Sequence, residues 1–415
     1  MQIKDVLLAP GSGAFFYDDQ AAIRAGTSQD GFIYLGEPLT PGFTSIRVPA
    51  SSLSIGLVLV DDTVVWGDMM SVQYSGAGGR NPLFDIKQIS DLSARVMVPR
   101  LLGVDASRYL DACAKVFEPF EQERLPLALE YGVSQALLRA AAYLQRATMA
   151  EIVCAEFDLP LPTCRVPIYC QSGDAREINV DKMILKAVDV LPHGLINSRQ
   201  KFGVNGQTFM EFVKWVAART REIGRPNYQP VLHFDVYGWI GQEIGLEPRR
   251  IADFICRVAE SVPGFTLNVE SPADFGSTQA QIENYAEIVS ILDDRGSSAR
   301  IVVDERCNTL EDIRLFAEAK GAHLVQIKTP DVGSIADTAR AVLICKQNQV
   351  GAYVGGSCTE TDLSAQASVH ISVATQAAMM LAKPGMGVDE AFSIVGNEQN
   401  RLLAILNRRA TKNVG

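Results

Sequence analysis

From about residue 165 the chain repeats one unit: a short apolar strand, a loop, then an amphipathic helix. The strands "VLHFDVYG", "FTLNVESP", "ARIVVDE", "HLVQIKTP" and "VGAYVGGS" recur at this pitch. Ile251, Phe254, Ile255 and Val258 follow the first at helical spacing, with Pro248 suited to a first turn. Ile282, Tyr285, Val289 and Leu292 follow the second, and Leu310, Ile313, Phe316 and Ala317 the third, which Gly321 is expected to end. Ser334 and Asp337 form a capping box before Ile335, Ala339, Val342 and Leu343. The charge-free run from Leu363 to Ala382 follows the fifth strand and reads as one long buried helix. Strands that alternate with helices must pair in parallel, and about 250 residues suit a closed (β/α) barrel. A doubly wound open sheet would carry a glycine fingerprint after its first strand, and none is present.

The first part has a different rhythm. "TSIRVPASSLSIGLVLVDDTVVWGD" reads as β-branched strands hinged at Asp61-Asp62, followed by the Gly-rich loop "QYSGAGGRNP". "PLALEYGVSQALLRAAAYLQRATMAEIV" is then helical. The expected fold class is α/β: an N-terminal α+β capping domain over 1–160 and a TIM-type barrel over 161–415. The net charge of −10, with no basic run, argues against nucleic acid. No stretch suits a membrane span or a signal peptide, and the eight scattered cysteines suit reduced thiols, so a cytoplasmic location is expected.

In such a barrel the chemistry lies where strands end and βα loops begin. Asp235, Glu270, Asp304 and Lys328 stand at successive strand ends, 35, 34 and 24 residues apart. Each spacing is about one strand-helix unit, so three carboxylates and one amine reach the same mouth. Carboxylates gathered without His or Cys form a hard oxygen site suited to Mg²⁺ or Mn²⁺. Any one acid alone reads better as a helix cap or surface ion pair; three in phase before a buried-strand lysine do not. Lys328 beside a divalent cation is disfavoured in its charged form and becomes a general base for a C–H next to a carboxylate. The rival reading of Lys328 is an ion pair with one of the acids.

Other features carry less. "GAGGR" lacks the ending of a phosphate loop. "GGSCTETD" offers backbone N–H groups as an anion cradle, and its Cys358 has no His beside it to make a nucleophile. From the residues alone His193 reads as structural, and His233, one layer below Asp235, as core.

Taken together, "QYSGAGGR", "QSGD", "DVLPHGLIN", "HFDVYG", "DERCNT", "VQIKTPD", "GAYVGGSC" and "LAKPGMGVDE" resemble methylaspartate ammonia-lyase, a family of the enolase superfamily. The resemblance covers essentially the whole chain. It implies deamination of L-threo-3-methylaspartate to mesaconate and ammonia, with Mg²⁺ and a monovalent activator such as K⁺, in a homodimer. By the same resemblance Asp235, Glu270 and Asp304 hold Mg²⁺, Lys328 removes the C3 proton through a stabilised enediolate, and His193 acts from the opposite face. Gln326 contacts the metal-bound carboxylate, while Gln73, Gln171, Ser357 and Cys358 hold the other carboxylate and the amine. Tyr353 and Leu381 line the pocket. Ser357 stands where the family often has Thr, and Tyr169 where it often has Phe, changes that reshape the amine pocket and leave metal and base residues intact. Three alternatives stay open: another superfamily lyase or cycloisomerase, a metal-free Schiff-base aldolase on Lys328, and a catalytically lapsed scaffold.

Overall fold

The computed structural model describes residues 2–77 and 79–412; Gly78 of the Gly-rich loop lies outside the described residues. Eight parallel strands close a barrel: β6 (Ile168–Tyr169), β7 (Val190–His193), β8 (Val231–Asp235), β9 (Leu267–Glu270), β10 (Ala299–Val303), β11 (Leu324–Ile327), β12 (Gly351–Val354) and β13 (Met379–Leu381). Chain order is barrel order, so every strand pairs with its sequence neighbours and β13 closes on β6. The pleat sorts the side chains. Tyr169, Val190, Val302, Leu324, Tyr353, Met379 and Leu381 form the inner apolar cluster, while Val303, Val325, Ile327 and Val354 join the larger core outside.

The helices hold the barrel from outside. Pro248 occupies the first turn of Pro248–Glu260, and Ile251, Phe254, Ile255 and Val258 are all buried. Each such side chain contributes roughly 1.5–3 kcal/mol by burial. Ser334 caps Ile335–Gln347, its side chain accepting from the Asp337 N–H.

The structure corrects two local expectations and refines a third. The charge-free run is not one helix: it stops at Thr375, Gln376 takes φ +50°, and Met379–Leu381 becomes the eighth strand. Apolar composition alone does not separate a buried helix from a buried strand. The Ala/Leu-rich stretch is two helices, Leu127–Leu144 and Met149–Glu156, parted where Arg146 takes φ +52° and Thr148 begins a capping box. The helix Leu310–Glu318 is ended by Lys320, which takes the left-handed turn at φ +55° one residue before Gly321.

The N-terminal part carries an antiparallel sheet, β1 (Ile3–Asp18), β4 (Arg47–Leu59) and β5 (Val64–Met69), beside a small ribbon of β2 (Ser28–Asp30) and β3 (Ile33–Leu35). The expected hinge is present, with Asp62 at φ +68° between β4 and β5. β5 lies flush on Leu127–Leu144 because Gly67 and Gly132 face each other, and a side chain at either would meet the opposing backbone. One continuous apolar core runs from Leu53 and Ile55 through Tyr131 and Leu137 to Val325 and Val373, fixing the cap on the barrel. Among the described residues no helix is long and apolar enough to cross a membrane, and all eight cysteines are free.

Candidate active site

Register brings the acids together. Asp235 and Glu270 are the last residues of β8 and β9 and are paired across the ladder. Asp304 and Lys328 are the first residues after β10 and β11. Asp235, Glu270 and Asp304 are 2%, 0% and 6% exposed. The rival reading of Lys328 is also realised: its Nζ donates to Asp304 Oδ2 at 2.9 Å. Arg80, from the Gly-rich loop, lies 3.5 Å from Asp304 Oδ1 and donates to Asp331 Oδ2 at 3.1 Å.

Burial pushes the Asp235 carboxyl far above its usual range, and the neighbouring Glu305 and Asp304 push it further. Glu270 is raised in the same way, by burial and then by Asp235 and Asp304. Burial also acts against ionised Asp304, but Lys328 and Arg80 outweigh it and hold the group below the usual range. The mouth therefore gathers more buried carboxyls than its own cations can hold ionised.

Glu270 is anchored from below. His233 Nε2 lies 2.6 Å from Glu270 Oε2, and Gln326 Nε2 donates to Glu270 Oε1 at 3.0 Å. Tyr169 stacks on His233 with ring centroids 4.3 Å apart. Its hydroxyl is buried without a hydrogen-bond partner among the described residues, as is Gln326 Oε1. Tyr169 thus sits one layer beneath the residues that line the cavity. His193 ends β7 at φ +69°, a left-handed conformation that re-aims its ring toward the mouth. The Leu195 N–H donates to His193 Nδ1 at 3.2 Å, which places the proton of the neutral ring on Nε2, 3.7 Å from Asp235 Oδ2. Burial pulls the ring down to about 4 despite the attraction of Asp304, so it stays neutral near pH 7.

One cavity gathers Gln73, Gln171, His193, Asp235, Asp304, Gln326, Lys328, Tyr353, Ser357, Cys358 and Leu381, with Tyr74, Arg80, Tyr237 and Glu305 completing its wall. Its volume of about 60 Å³ leaves room for a small ligand only. A larger cavity of about 490 Å³ lies behind the same loops, beside Phe84, Leu92 and Pro330, but it holds none of the strand-end acids.

A second buried ion pair supports the loop that carries Ser357 and Cys358. Lys383 Nζ donates to Glu360 Oε2 (2.9 Å), Thr329 Oγ1 (2.9 Å) and the Gly355 carbonyl (3.0 Å). Glu360 accepts from the Tyr131 hydroxyl at 2.5 Å and the Ser357 N–H at 2.8 Å. Gly356, at φ +141°, passes so close to Glu360 and Lys383 that no side chain fits there. The expected anion cradle is altered by this pair: the Ser357 N–H is already taken by Glu360, and the Thr359 N–H turns to Ser357 Oγ at 3.4 Å. Cys358 is buried, which pushes its thiol up and away from nucleophilic form.

His233 lay on the face of Asp235 and was legible as a buried neighbour, though not as the partner of Glu270. Glu305 follows Asp304 in "VVDERC", and Arg80 closes "GAGGR"; both were within quoted motifs. Nothing in the sequence pointed to Glu360 and Lys383 as a pair.

Among the described residues, no three His, Cys, Asp or Glu side chains are already drawn into ligand geometry. The donor set nonetheless fits a hard divalent cation: three buried carboxyls converge from adjacent strands, two of them driven up by burial and neighbouring carboxylates, beside an amide oxygen that has no partner among the described residues.

Comparison with known proteins agrees with this architecture. Two family models match, described as Methylaspartate ammonia-lyase N-terminus over residues 1–158 and Methylaspartate ammonia-lyase C-terminus over 160–408. Methylaspartate ammonia-lyase 1 of Carboxydothermus hydrogenoformans is 46% identical over 98% of both chains. The magnesium complex of β-methylaspartase from Clostridium tetanomorphum superposes with a TM-score of 0.94 at 43% identity, covering 99% of this chain and 100% of that one. The Citrobacter amalonaticus enzyme containing (2S,3S)-3-methylaspartic acid superposes with a TM-score of 0.96 at 43% identity, covering 98% and 100%. With both halves matched end to end, the chain belongs to the methylaspartate ammonia-lyase family of carbon–nitrogen lyases.

Proposed function

We propose that the chain catalyses the reversible deamination of L-threo-3-methylaspartate to mesaconate and ammonia. The observation that carries this reading is Lys328 in one cavity with Asp235 and Asp304, beside Glu270 on the paired strand, under an amide-bearing cap. Relatives that bear the activity in their names, one of them containing (2S,3S)-3-methylaspartic acid, support the choice of substrate.

In this reading Asp235, Glu270 and Asp304 hold Mg²⁺, which when bound supplies positive charge beside the C4 carboxylate. Lys328 takes the C3 proton onto Nζ. The electron pair left on C3 delocalises into the C4 carboxylate. It then forms the C2–C3 double bond as the C2–N bond breaks, and ammonia leaves with the pair of that bond. His193 donates its Nε2 proton in a hydrogen bond to the C4 carboxylate, with Gln326 beside it. Gln171, Ser357 and Cys358 hold the C1 carboxylate and the amine together with Gln73. Tyr353 and Leu381 pack around the methyl group, and Tyr169 supports His233 from below. The cap excludes water while charge builds on the substrate.

The proposal has further parts: K⁺ as activator and a homodimer, which the family resemblance implies; Mn²⁺ as a substitute ion, which the hard oxygen donors suit; a cytoplasmic location, which the scattered cysteines suit; and a division into capping and catalytic domains between residues 160 and 161, where the chain changes its rhythm. The test is the ultraviolet absorbance of the unsaturated diacid, measured with ammonia release from L-threo-3-methylaspartate and aspartate side by side. Faster growth with the methylated substrate, abolished by EDTA, is expected. Absence of ammonia release from either substrate by folded, Mg²⁺-supplied protein overturns the assignment.

A further inference from the structure

Gln73 enters the cavity from the cap with its amide held at both ends. Its Nε2 donates to Asp18 Oδ2 at 2.7 Å, and its Oε1 accepts from the Cys358 thiol at 3.3 Å. Its backbone is pinned as well, the N–H donating to Ser357 Oγ at 2.9 Å and the carbonyl accepting from the Asp18 N–H at 3.0 Å. Asp18 is 1% exposed and stands at the end of β1, directly opposite Arg47 on β4. Arg47 forks it, with Nε on Oδ1 at 2.6 Å and Nη2 on Oδ2 at 2.7 Å. The guanidinium is packed in turn over the rings of Phe32 and Tyr34, 4.2 and 4.7 Å from their centroids.

This chain of contacts decides which end of an amide faces the substrate. A carboxylate forked by a guanidinium only accepts hydrogen bonds, so the donating nitrogen of Gln73 must point at Asp18. Its oxygen is left facing Cys358 and the cavity, with one lone pair beyond the thiol contact. An amino diacid offers acceptors alone at its two carboxylates and donors alone at its ammonium group. Of those groups only the amine nitrogen can meet this oxygen.

We infer that Asp18, forked by Arg47, is a positioning residue that presents the Gln73 oxygen to the amine nitrogen of the substrate. The inference rests on the ammonia-lyase reading above. It places part of the enzyme's preference for an amine on a β1–β4 cross-strand pair that touches no substrate.

The test uses the full chain with Mg²⁺ in the direction of ammonia addition to mesaconate. Asp18→Asn replaces an acceptor-only group with one that accepts either end of the Gln73 amide. Loss of an aligned hydrogen bond to a charged group predicts a rise of about tenfold or more in the KM for ammonia. The KM for mesaconate stays within about twofold, because the Gln73 oxygen contacts no carboxylate. The double exchange Asp18→Asn with Gln73→Glu puts donor and acceptor back in complementary places and recovers most of the ammonia KM. An unchanged ammonia KM, or equal rises in both constants, overturns the inference. If Asp18→Asn does not fold, Arg47→Lys, which keeps the acceptor and loses the fork, is read by the same split, with a smaller rise expected and no rise contradicting it. Failure of the unaltered chain to add ammonia to mesaconate overturns the activity itself and is thereby told apart from failure of the clamp.

Discussion

Two buried ionic clusters lie within one strand of each other and are built on opposite terms. Around Lys383 every group is answered: three ammonium donors meet Glu360, Thr329 and Gly355, and Glu360 in turn receives Tyr131 and Ser357. At the barrel mouth four carboxyls, Asp235, Glu270, Asp304 and Glu305, share two charged partners, Lys328 and Arg80; Asp235 and Glu270 are driven up by burial and by neighbouring carboxylates, and the Gln326 amide oxygen has no partner among the described residues. A closed ionic network specifies a structure, and an open one of the same depth is available to a ligand. The closed pair holds the loops on which Ser357, Cys358 and Lys328 sit; in the proposed function the open cluster is where a substrate and its cation would complete the charge.

The contrast can be broken in steps. Lys328→Ala is expected to lower turnover of L-threo-3-methylaspartate by about a thousandfold or more with the fold intact, since no other group on that side replaces a general base; near-normal turnover in the absorbance assay contradicts the account. Asp235→Asn should cost about a hundredfold or more in turnover. Because it removes one buried carboxyl whose ionisation burial and its neighbours oppose, it should leave thermal stability without added divalent ions unchanged or about 1 kcal/mol higher. A loss of stability there would show that the mouth is satisfied like its neighbour. Lys383→Met has the opposite signature: it strands Glu360 and should cost about 3–5 kcal/mol in denaturant unfolding. The smallest effect is expected at a third pair. Glu398 is drawn down to about 2, first by its hydrogen bond to His370, against burial, with Arg401 helping. A depressed carboxyl contributes stability above its unfolded value near 4.5 and loses it as pH falls toward 2. Glu398→Gln should therefore flatten the acid arm of the stability profile in that window by no more than about 3 kcal/mol. An unchanged acid arm would remove Glu398 from the account.

The barrel's contribution was legible because strand period and helix pitch fix where a residue ends up. Asp235, Glu270, Asp304 and Lys328 could be placed at one mouth by spacing, and Gln326 and Lys328 by sharing a strand face. His193 was not legible from its surroundings, since its direction depends on a left-handed backbone at a strand end; only the family resemblance marked it. The eighth strand was hidden in a charge-free run because Met379, Met380 and Leu381 look the same buried in either element. The cap was the least legible. Arg80 reaches Asp304 and Asp18 reaches Gln73 across hundreds of residues or across a sheet, and no local period encodes such contacts.

The central claim is that Lys328 takes the C3 proton at this mouth. It is tested most directly by partial turnover of L-threo-3-methylaspartate in D₂O with Mg²⁺, following deuterium at C3 of the recovered substrate by NMR. The account predicts deuterium entering C3 with the unaltered chain and none above background with Lys328→Ala, while that variant still binds Mg²⁺ by calorimetry. Exchange at an undiminished rate in Lys328→Ala would contradict it.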